Sequence, residues 1–413
     1  MERKDWKKDF GLLWAGQAVS VLTSSVVQMA LIWTLTMETQ SAMILSLASL
    51  AGFLPNALLG TFAGAIVDRI DRKKAIIGAD LFIAAVSLIL VFISTKGMLP
   101  IGVVLAVLAI RSVGTSFHTP AISATAPLIV PSDKLMKCAG YTHSLQTIGY
   151  IAGTALAGLL YPVWSLSQLV FLDVIGALIA SLAVLVIKIP KVKKIEKIKS
   201  DNNLWKEMKE GYIILHQEKG LFAILWTAAL FMILYSPINA LFPLLTTDYF
   251  KGTTWHCAVV EMAYSIGMLV GSICIGLGIG MRRKGIFLVF AVAMMGLPIA
   301  IIGILPNSAF AVFVALSVVM GLSVPFYNAP GTALYQEKIA PEYLGRVFGL
   351  YGSVCSMAMP IGLMLSGIWA DSVGINRWFL ISGVLITLIS VMMLNMKSIR
   401  DIDKLEVVEV KHR

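Results

Sequence analysis

Twelve times along this chain some twenty residues pass with hardly a charge, and no other property of the sequence restricts its fold so severely. A helix needs about 20 apolar residues to cross the roughly 30 Å hydrocarbon core of a bilayer, where only structures that satisfy their own backbone hydrogen bonds survive. The runs are residues 10–36, 42–67, 75–95, 99–119, 139–161, 168–187, 221–246, 256–280, 286–305, 308–328, 347–370 and 377–396. They predict an all-α integral membrane protein with 12 transmembrane helices. Composition agrees, with 58% hydrophobic and 14% charged residues, against about a quarter charged in an average soluble protein. The first run follows "MERKDWKKDF" as a signal peptide might, but it is too long for one and is expected to stay as the first span.

The connectors are short except residues 188–219, "KIPKVKKIEKIKSDNNLWKEMKEGYIILHQEK", which divide the spans into two sets of six. The expected organisation is an N-terminal six-helix bundle over 1–187, a cytoplasmic linker over 188–219, a C-terminal bundle over 220–397 and a cytoplasmic tail over 398–413. Basic residues stay on the cytoplasmic side of a membrane. With the N-terminus inside, only Lys96, Lys251 and Arg377 of the 33 Lys and Arg face outward, and Arg111 lies within a span. Both termini are therefore expected in the cytoplasm, and the net charge of +10 needs no nucleic-acid partner. Cys138, Cys257, Cys274 and Cys355 are far apart, with no metal or disulfide spacing, and read as small buried hydrophobes.

The two sets of spans resemble each other. At an offset of 211, Gly60, Arg72 and Lys73 meet Gly271, Arg283 and Lys284. At 210, Pro120, Pro131 and Tyr141 meet Pro330, Pro341 and Tyr351, and at 209 "GTALAG" (153–158) meets "GLMLSG" (362–367). Six spans per half make the repeats parallel, related by an axis along the membrane normal, as in transporters whose site lies between two bundles.

At the end of the second run, "GTFAGAIVDRIDRKK" (60–74) passes abruptly from small apolar residues to charges. Gly60 and Gly64 share a helix face and offer room for another helix to approach. Asp68 then emerges at the cytoplasmic surface, where it could accept from the amides of a neighbouring helix N-terminus or pair with Arg72. The matching stretch "GSICIGLGIGMRRKG" (271–285) keeps the glycine and the bases but has no acid.

"GAIVDRIDRKK" resembles the signature loop of the major facilitator superfamily, usually written G-x-L-a-D-r-x-G-r-k. Gly64, Asp68, Arg69, Arg72 and Lys73 match, and Asp71 stands where a second glycine is typical. "WAGQAVS" (14–20), "SLASLAGFLP" (46–55), "IRSVGTSFHTPA" (110–121), "KCAGYTHSLQ" (137–146), "PINALFPL" (237–244) and "EKIAPEYLGRVFGL" (337–350) are similar to the macrolide-efflux branch of the drug:proton antiporters. The resemblance implies export of a small hydrophobic drug across a bacterial plasma membrane, driven by proton entry and conferring antibiotic resistance, with no cofactor beyond the proton gradient. It also implies that the loop locks the two halves against each other in an outward-facing state. Arg346 in "YLGRVFG", after the tenth span, is a further candidate for the cytoplasmic closure, with lipid headgroups as the alternative partner.

Ionisable groups inside spans are costly and mark functional sites by default. Arg111 lies deep in the fourth span, with Thr115 and His118 following at helical spacing. The resemblance implies that an arginine here interacts with the proton-carrying acid; the plainer reading is a guanidinium satisfied by carbonyls. Glu261, in the eighth span with Ser265 and Ser272 on its face, is the first candidate for that acid. Asp80 and Asp173 follow, although the resembled fold turns spans three and six more to lipid than to the cavity, which favours structural pairing for both. His118 and His143 titrate in the right range, or serve as hydrogen bonders near the cytoplasmic ends.

Polar stripes at helical spacing suggest a substrate path: Gln17, Ser20, Ser24 and Gln28 on span one, His143, Gln146, Tyr150 and Thr154 on span five, and Tyr235 and Asn239 around Pro237 on span seven. Such faces avoid lipid, and interhelical hydrogen bonding alone would account for any one of them. The twenty methionines could line a cavity for bulky apolar substrates. The leading expectation is thus a proton-coupled drug exporter, with an uptake or lipid permease of the same fold as the alternative. An enzyme is not expected, because no nucleotide loop and no clustered catalytic His, Ser or paired acids occur at a membrane face.

Overall fold

The computed structural model describes residues 6–67, 70–95, 100–131, 134–187, 189, 204–278 and 283–404. Its elements are helices: α1 (Trp6–Thr39), α2 (Ala42–Val67), α3 (Arg72–Ser94), α4 (Ile101–Ile129), α5 (Leu135–Leu160), α6 (Leu166–Val186), α7 (Leu204–Gln217), α8 (Lys219–Leu244), α9 (Thr254–Gly276), α10 (Lys284–Ile304), α11 (Phe310–Lys338), α12 (Pro341–Val373), α13 (Ile375–Asn395) and α14 (Lys397–Arg400). A π turn, Leu245–Tyr249, extends α8. Eleven of these helices are long and apolar enough to cross a membrane. The fifth run is the exception, because the apolar part of α5 among the described residues, Ser144–Leu160, is shorter.

The chain divides into two compact units, residues up to Gln40 with Leu47–Ile198, and Ser41–Ser46 with everything from Lys199 onward. In the first unit α1 packs on α5 and α6, while α3 lies against α4 and α6. In the second unit α8 packs on α12 and α13, while α10 lies against α11 and α13. The first membrane helix of each unit thus meets its fifth and sixth, and the third meets its fourth and sixth, the same pairing twice. Small residues make these approaches close. A Cβ on Gly153 of α5 would stand 2.5 Å from Ser25 Cβ and 2.8 Å from the Leu22 carbonyl oxygen of α1. Without side chains at such points, helix backbones come together and gain the dispersion contacts that replace a hydrophobic driving force in lipid.

Helix ends are set by specific caps. Ser165 and Gln168 form a capping box at the start of α6. Gly374, at φ +94°, makes the turn between α12 and α13, a backbone conformation that a side chain resists. Asp71, where the resembled loop has glycine, is the N-cap of α3 and accepts from Lys73 N at 2.9 Å. The second unit reaches the same end differently. Arg283 caps α10 without a side-chain bond, and the carboxylate comes from the C-terminal tail, where Asp403 accepts from Lys284 N at 3.0 Å and Gly285 N at 3.2 Å. The tail from residue 398 is therefore an anchored element, not a free extension, as far as Lys404. Asp403→Ala is expected to lower unfolding stability by about 1 kcal/mol, as loss of an N-cap does. A thermal melt of detergent-purified protein reads this, with Asp71→Ala as the counterpart in the first unit.

Two expected boundaries change. The linker over 188–219 contains a helix, α7, which packs on α12 where a Cβ on Gly211 would meet the Arg346 carbonyl oxygen at 2.8 Å. The helix of the eleventh run begins at Pro341 rather than 347, because proline is favoured in a first turn, where its missing N–H costs nothing. Of the cysteines, Cys138 and Cys257 are buried, while Cys274 and Cys355 are half-buried.

Candidate functional site

The first unit encloses a cavity of about 700 Å³, within the roughly 300–1,000 Å³ of small-molecule sites. Its walls come from α1, α3, α4, α5 and α6, with Gly52 from α2. From α1 it takes Gln17, Ser20, Ser24 and Gln28, four positions at helical spacing on one face. From α5 it takes Gln146 and Tyr150. Trp14, Leu108 and Ile122 supply apolar wall. Among the described residues that line it there is no methionine.

Three of the four proton-coupling candidates meet here. Arg111 on α4, Asp173 on α6 and Asp80 on α3 all line the cavity, and all are nearly sealed from the surface at 8%, 1% and 3% exposure. Arg111 Nη1 pairs with Asp173 Oδ2 and donates to Ser87 Oγ. Ser87 Oγ donates to Asp173 Oδ2 at 2.9 Å, and Ser24 Oγ donates to Asp173 Oδ1 at 2.6 Å. Both carboxylate oxygens thus have donors, and the guanidinium meets a side-chain anion rather than carbonyls. In a low-dielectric medium a charge is tolerable only with such a partner. Spans three and six, expected to turn more to lipid than to the cavity, present both aspartates to it, Asp173 against the Arg111 guanidinium and Asp80 beside the His118 imidazole.

Asp80 is held differently. His118 Nε2 lies 3.1 Å from Asp80 Oδ1, at ion-pair distance. Among the described residues, neither His118 Nε2 nor Asp80 Oδ2 has a hydrogen-bond partner, nor does Gln17 Nε2. Sequence reasoning named Asp80 and His118 separately and missed Ser87, although Ser87 lies seven residues after Asp80 and so on the same face of α3.

The remaining candidates lie elsewhere. Glu261, Tyr235 and Asn239 belong to the second unit. There Tyr235 Oη and Tyr264 Oη are 2.5 Å apart, Tyr235 also bonds Asn239, and Glu261 is near enough to act electrostatically on Tyr235 and Cys257. Ser272, expected on an interior face with Glu261, is exposed. The side chain of His143 lies outside the described residues.

In the signature loop, Asp68 and Arg69 lie outside the described residues. A Cβ on Gly60 or Gly64 would meet nothing within 4 Å among the described residues. Lys73 has a structural partner, because its Nζ donates to the carbonyl oxygens of Leu185 at 2.6 Å and Ile187 at 3.0 Å. It neutralises the negative end of α6, a role beyond membrane topology. Arg346, placed by the sequence in a loop, lies inside α12, where it pairs with Glu210 of α7 at 3.1 Å and sits over the Tyr343 ring. It fastens the connector helix within the second unit. Among the described residues no group of three His, Cys, Asp or Glu side chains comes together as a metal site.

Apolar helices long enough to span a membrane, around a cavity that holds a buried ion pair, are the architecture of a membrane transporter. Residues 13–363 match the Major Facilitator Superfamily, and the chain belongs to that family. It is 50% identical to Macrolide efflux protein A of Streptococcus pyogenes over 399 residues, covering 97% of this chain and 98% of that one. It is 51% identical to Macrolide efflux protein A of Enterococcus faecalis over 323 residues, covering 78% of this chain and 99% of that one. The fold matches the crystal structure of the nucleoside transporter NupG with a TM-score of 0.72 at 13% identity, covering 94% of this chain and 99% of that one. The protein is accordingly a multi-pass transporter of the plasma membrane.

Proposed function

We propose that this protein exports macrolide antibiotics in exchange for protons, by alternating access of a central cavity to the two sides of a bacterial membrane. The observation that carries this reading is half identity, over nearly the full length of both chains, to a protein named for macrolide efflux. The cavity supports it. Its volume of about 700 Å³ suits one bulky ligand, and its walls join apolar surface to unpartnered polar groups such as Gln17 Nε2, which a ligand satisfies. Buried ionisable groups supply the chemistry that proton coupling requires. In this reading α5 also spans the membrane and brings the number of spans to twelve, both termini are cytoplasmic, and the bundles are 1–187 and 220–397, joined by the cytoplasmic linker 188–219. The loop bearing Asp68 serves as a cytoplasmic lock in a later state of the cycle, and lipids surround the exposed apolar faces.

Cells expressing the chain should accumulate several-fold less labelled macrolide than cells without it, and a protonophore should abolish the difference. Equal accumulation would refute macrolide export. Reduced accumulation that survives the protonophore would refute proton drive.

A further inference from the structure

The two aspartates of the cavity are in unlike states. Asp173 is saturated: Arg111 balances its charge, and Ser24 and Ser87 donate to its two oxygens. A proton arriving there would have to displace a guanidinium that has nowhere else to go, leaving a buried cation alone. Asp80 is equally buried but has a bare oxygen and faces an imidazole instead of a guanidinium. Imidazole is the side chain that gains and loses a proton near neutral pH, whereas guanidinium does not. Among the described residues the other charged or titratable groups lining the cavity are Arg111 on α4, Asp173 on α6 and Tyr150 on α5. Arg111 and Asp173 cancel, so among these groups Asp80 and His118 decide the charge of the cavity.

We propose that Asp80 and His118 together are the proton-carrying pair of this transporter, and that Arg111 and Asp173 are a fixed ion pair beside it. The step is a single proton transfer. With a proton on Nε2, the imidazolium of His118 faces the Asp80 carboxylate at Oδ1 and the pair sums to zero. When that proton leaves to water, neutral imidazole and carboxylate remain, and one negative charge stands unbalanced inside the span. Lipid-embedded protein tolerates the first state better than the second, so occupancy by the proton changes the energy of the cavity, as a coupling device must. The pair lies in one unit, and Glu261 of the second unit is not needed for it. The proposal rests on proton-driven macrolide export.

The test uses the full-length protein in liposomes, with two measurements on each variant. One is labelled-macrolide accumulation driven by a pH gradient; the other is macrolide exchange across the membrane with no gradient. Asp80→Asn and His118→Gln should lower the ratio of gradient-driven accumulation to exchange more than ten-fold, and Asp80→Glu should restore that ratio. Gradient-driven accumulation by either variant at the wild-type level would overturn the proposal, as would equal loss of both activities in well-folded variants. A wild-type protein that exchanges no macrolide would instead refute the substrate assignment. The pair is then decided by an NMR titration of the five histidines, with His118→Gln assigning the resonance. A change of the His118 resonance with pH that Asp80→Asn alters supports the pair, and a His118 resonance that pH leaves unmoved overturns it. Should Asp80→Asn fail to fold, His118→Gln carries the transport test, and Asp80→Glu supplies the altered titration.

Discussion

Asp173→Ala should leave the first unit barely able to fold, with a loss of about 3–5 kcal/mol, the range seen when one partner of a buried ion pair is removed. The size follows from what remains behind. Arg111 is 8% exposed and would keep its charge with only Ser87 to receive it, while Ser24 and Ser87 would each lose their acceptor. Net stability of most domains is only about 5–15 kcal/mol, so monodisperse protein should largely disappear from detergent extracts. Asp173→Asn keeps the shape and loses the charge, and should fall between wild type and the alanine variant. The double change Arg111→Met with Asp173→Leu should recover much of the loss, because removing both charges removes the desolvation cost along with the attraction. Thermal melting by size-exclusion recovery measures all three. An alanine variant as stable as wild type would show that the pair does not hold α4 to α6.

Gly321→Val and Gly267→Val should each destabilise the second unit by about 3 kcal/mol or more, at the upper end of the cost of overpacking. A Cβ on Gly321 of α11 would run into the Tyr264 carbonyl oxygen of α9, and one on Gly267 of α9 would run into the Val318 carbonyl oxygen of α11. The obstacle is backbone on both sides, which cannot swing away as the end of a side chain can. Gly271 extends the same contact one turn further, with the Leu322 carbonyl oxygen 2.6 Å from its Cβ position. Gly60→Ala and Gly64→Ala make the contrast. Among the described residues nothing lies within 4 Å of a Cβ added at either, so alanine there should cost nothing and should gain up to about 1 kcal/mol of helix preference. Melting temperatures of the four variants, taken in one detergent, would reveal the asymmetry. A valine at 321 without effect would refute the close approach of α9 and α11.

Gly60 and Gly271 also show where reading by repeats stops. They match at a fixed offset, and their flanking bases match too, yet a Cβ on the first would meet nothing within 4 Å among the described residues and the second is pressed against α11. The same holds for the caps. Asp71 precedes its helix directly and could have been read as an N-cap from the bases and apolar run that follow it. Asp403, 118 residues from the amide it serves, could not. Arg346 was legible as a charge beyond the end of an apolar run but not as the partner of Glu210, because its position in a helix rather than a loop depends on where α12 begins.

The sequence by itself determined that this is a bundle of membrane helices in two similar halves, and which side chains stand out from the apolar background. That much is legible because lipid offers polar groups no partner, so every Gln, Asp or Arg inside a span is conspicuous and helical spacing assigns it to a face. Gln17, Ser24, Gln28, Gln146 and Tyr150 were readable as cavity lining for this reason. Only the tertiary structure decided that Arg111 meets Asp173, 62 residues away, and that Asp80 meets His118. Such pairings depend on which helices lie side by side and at what rotation. Both are set by the close packing of small residues such as Gly16, Gly153 and Gly176 against neighbouring helices, a property of surfaces in three dimensions that one-dimensional spacing does not carry.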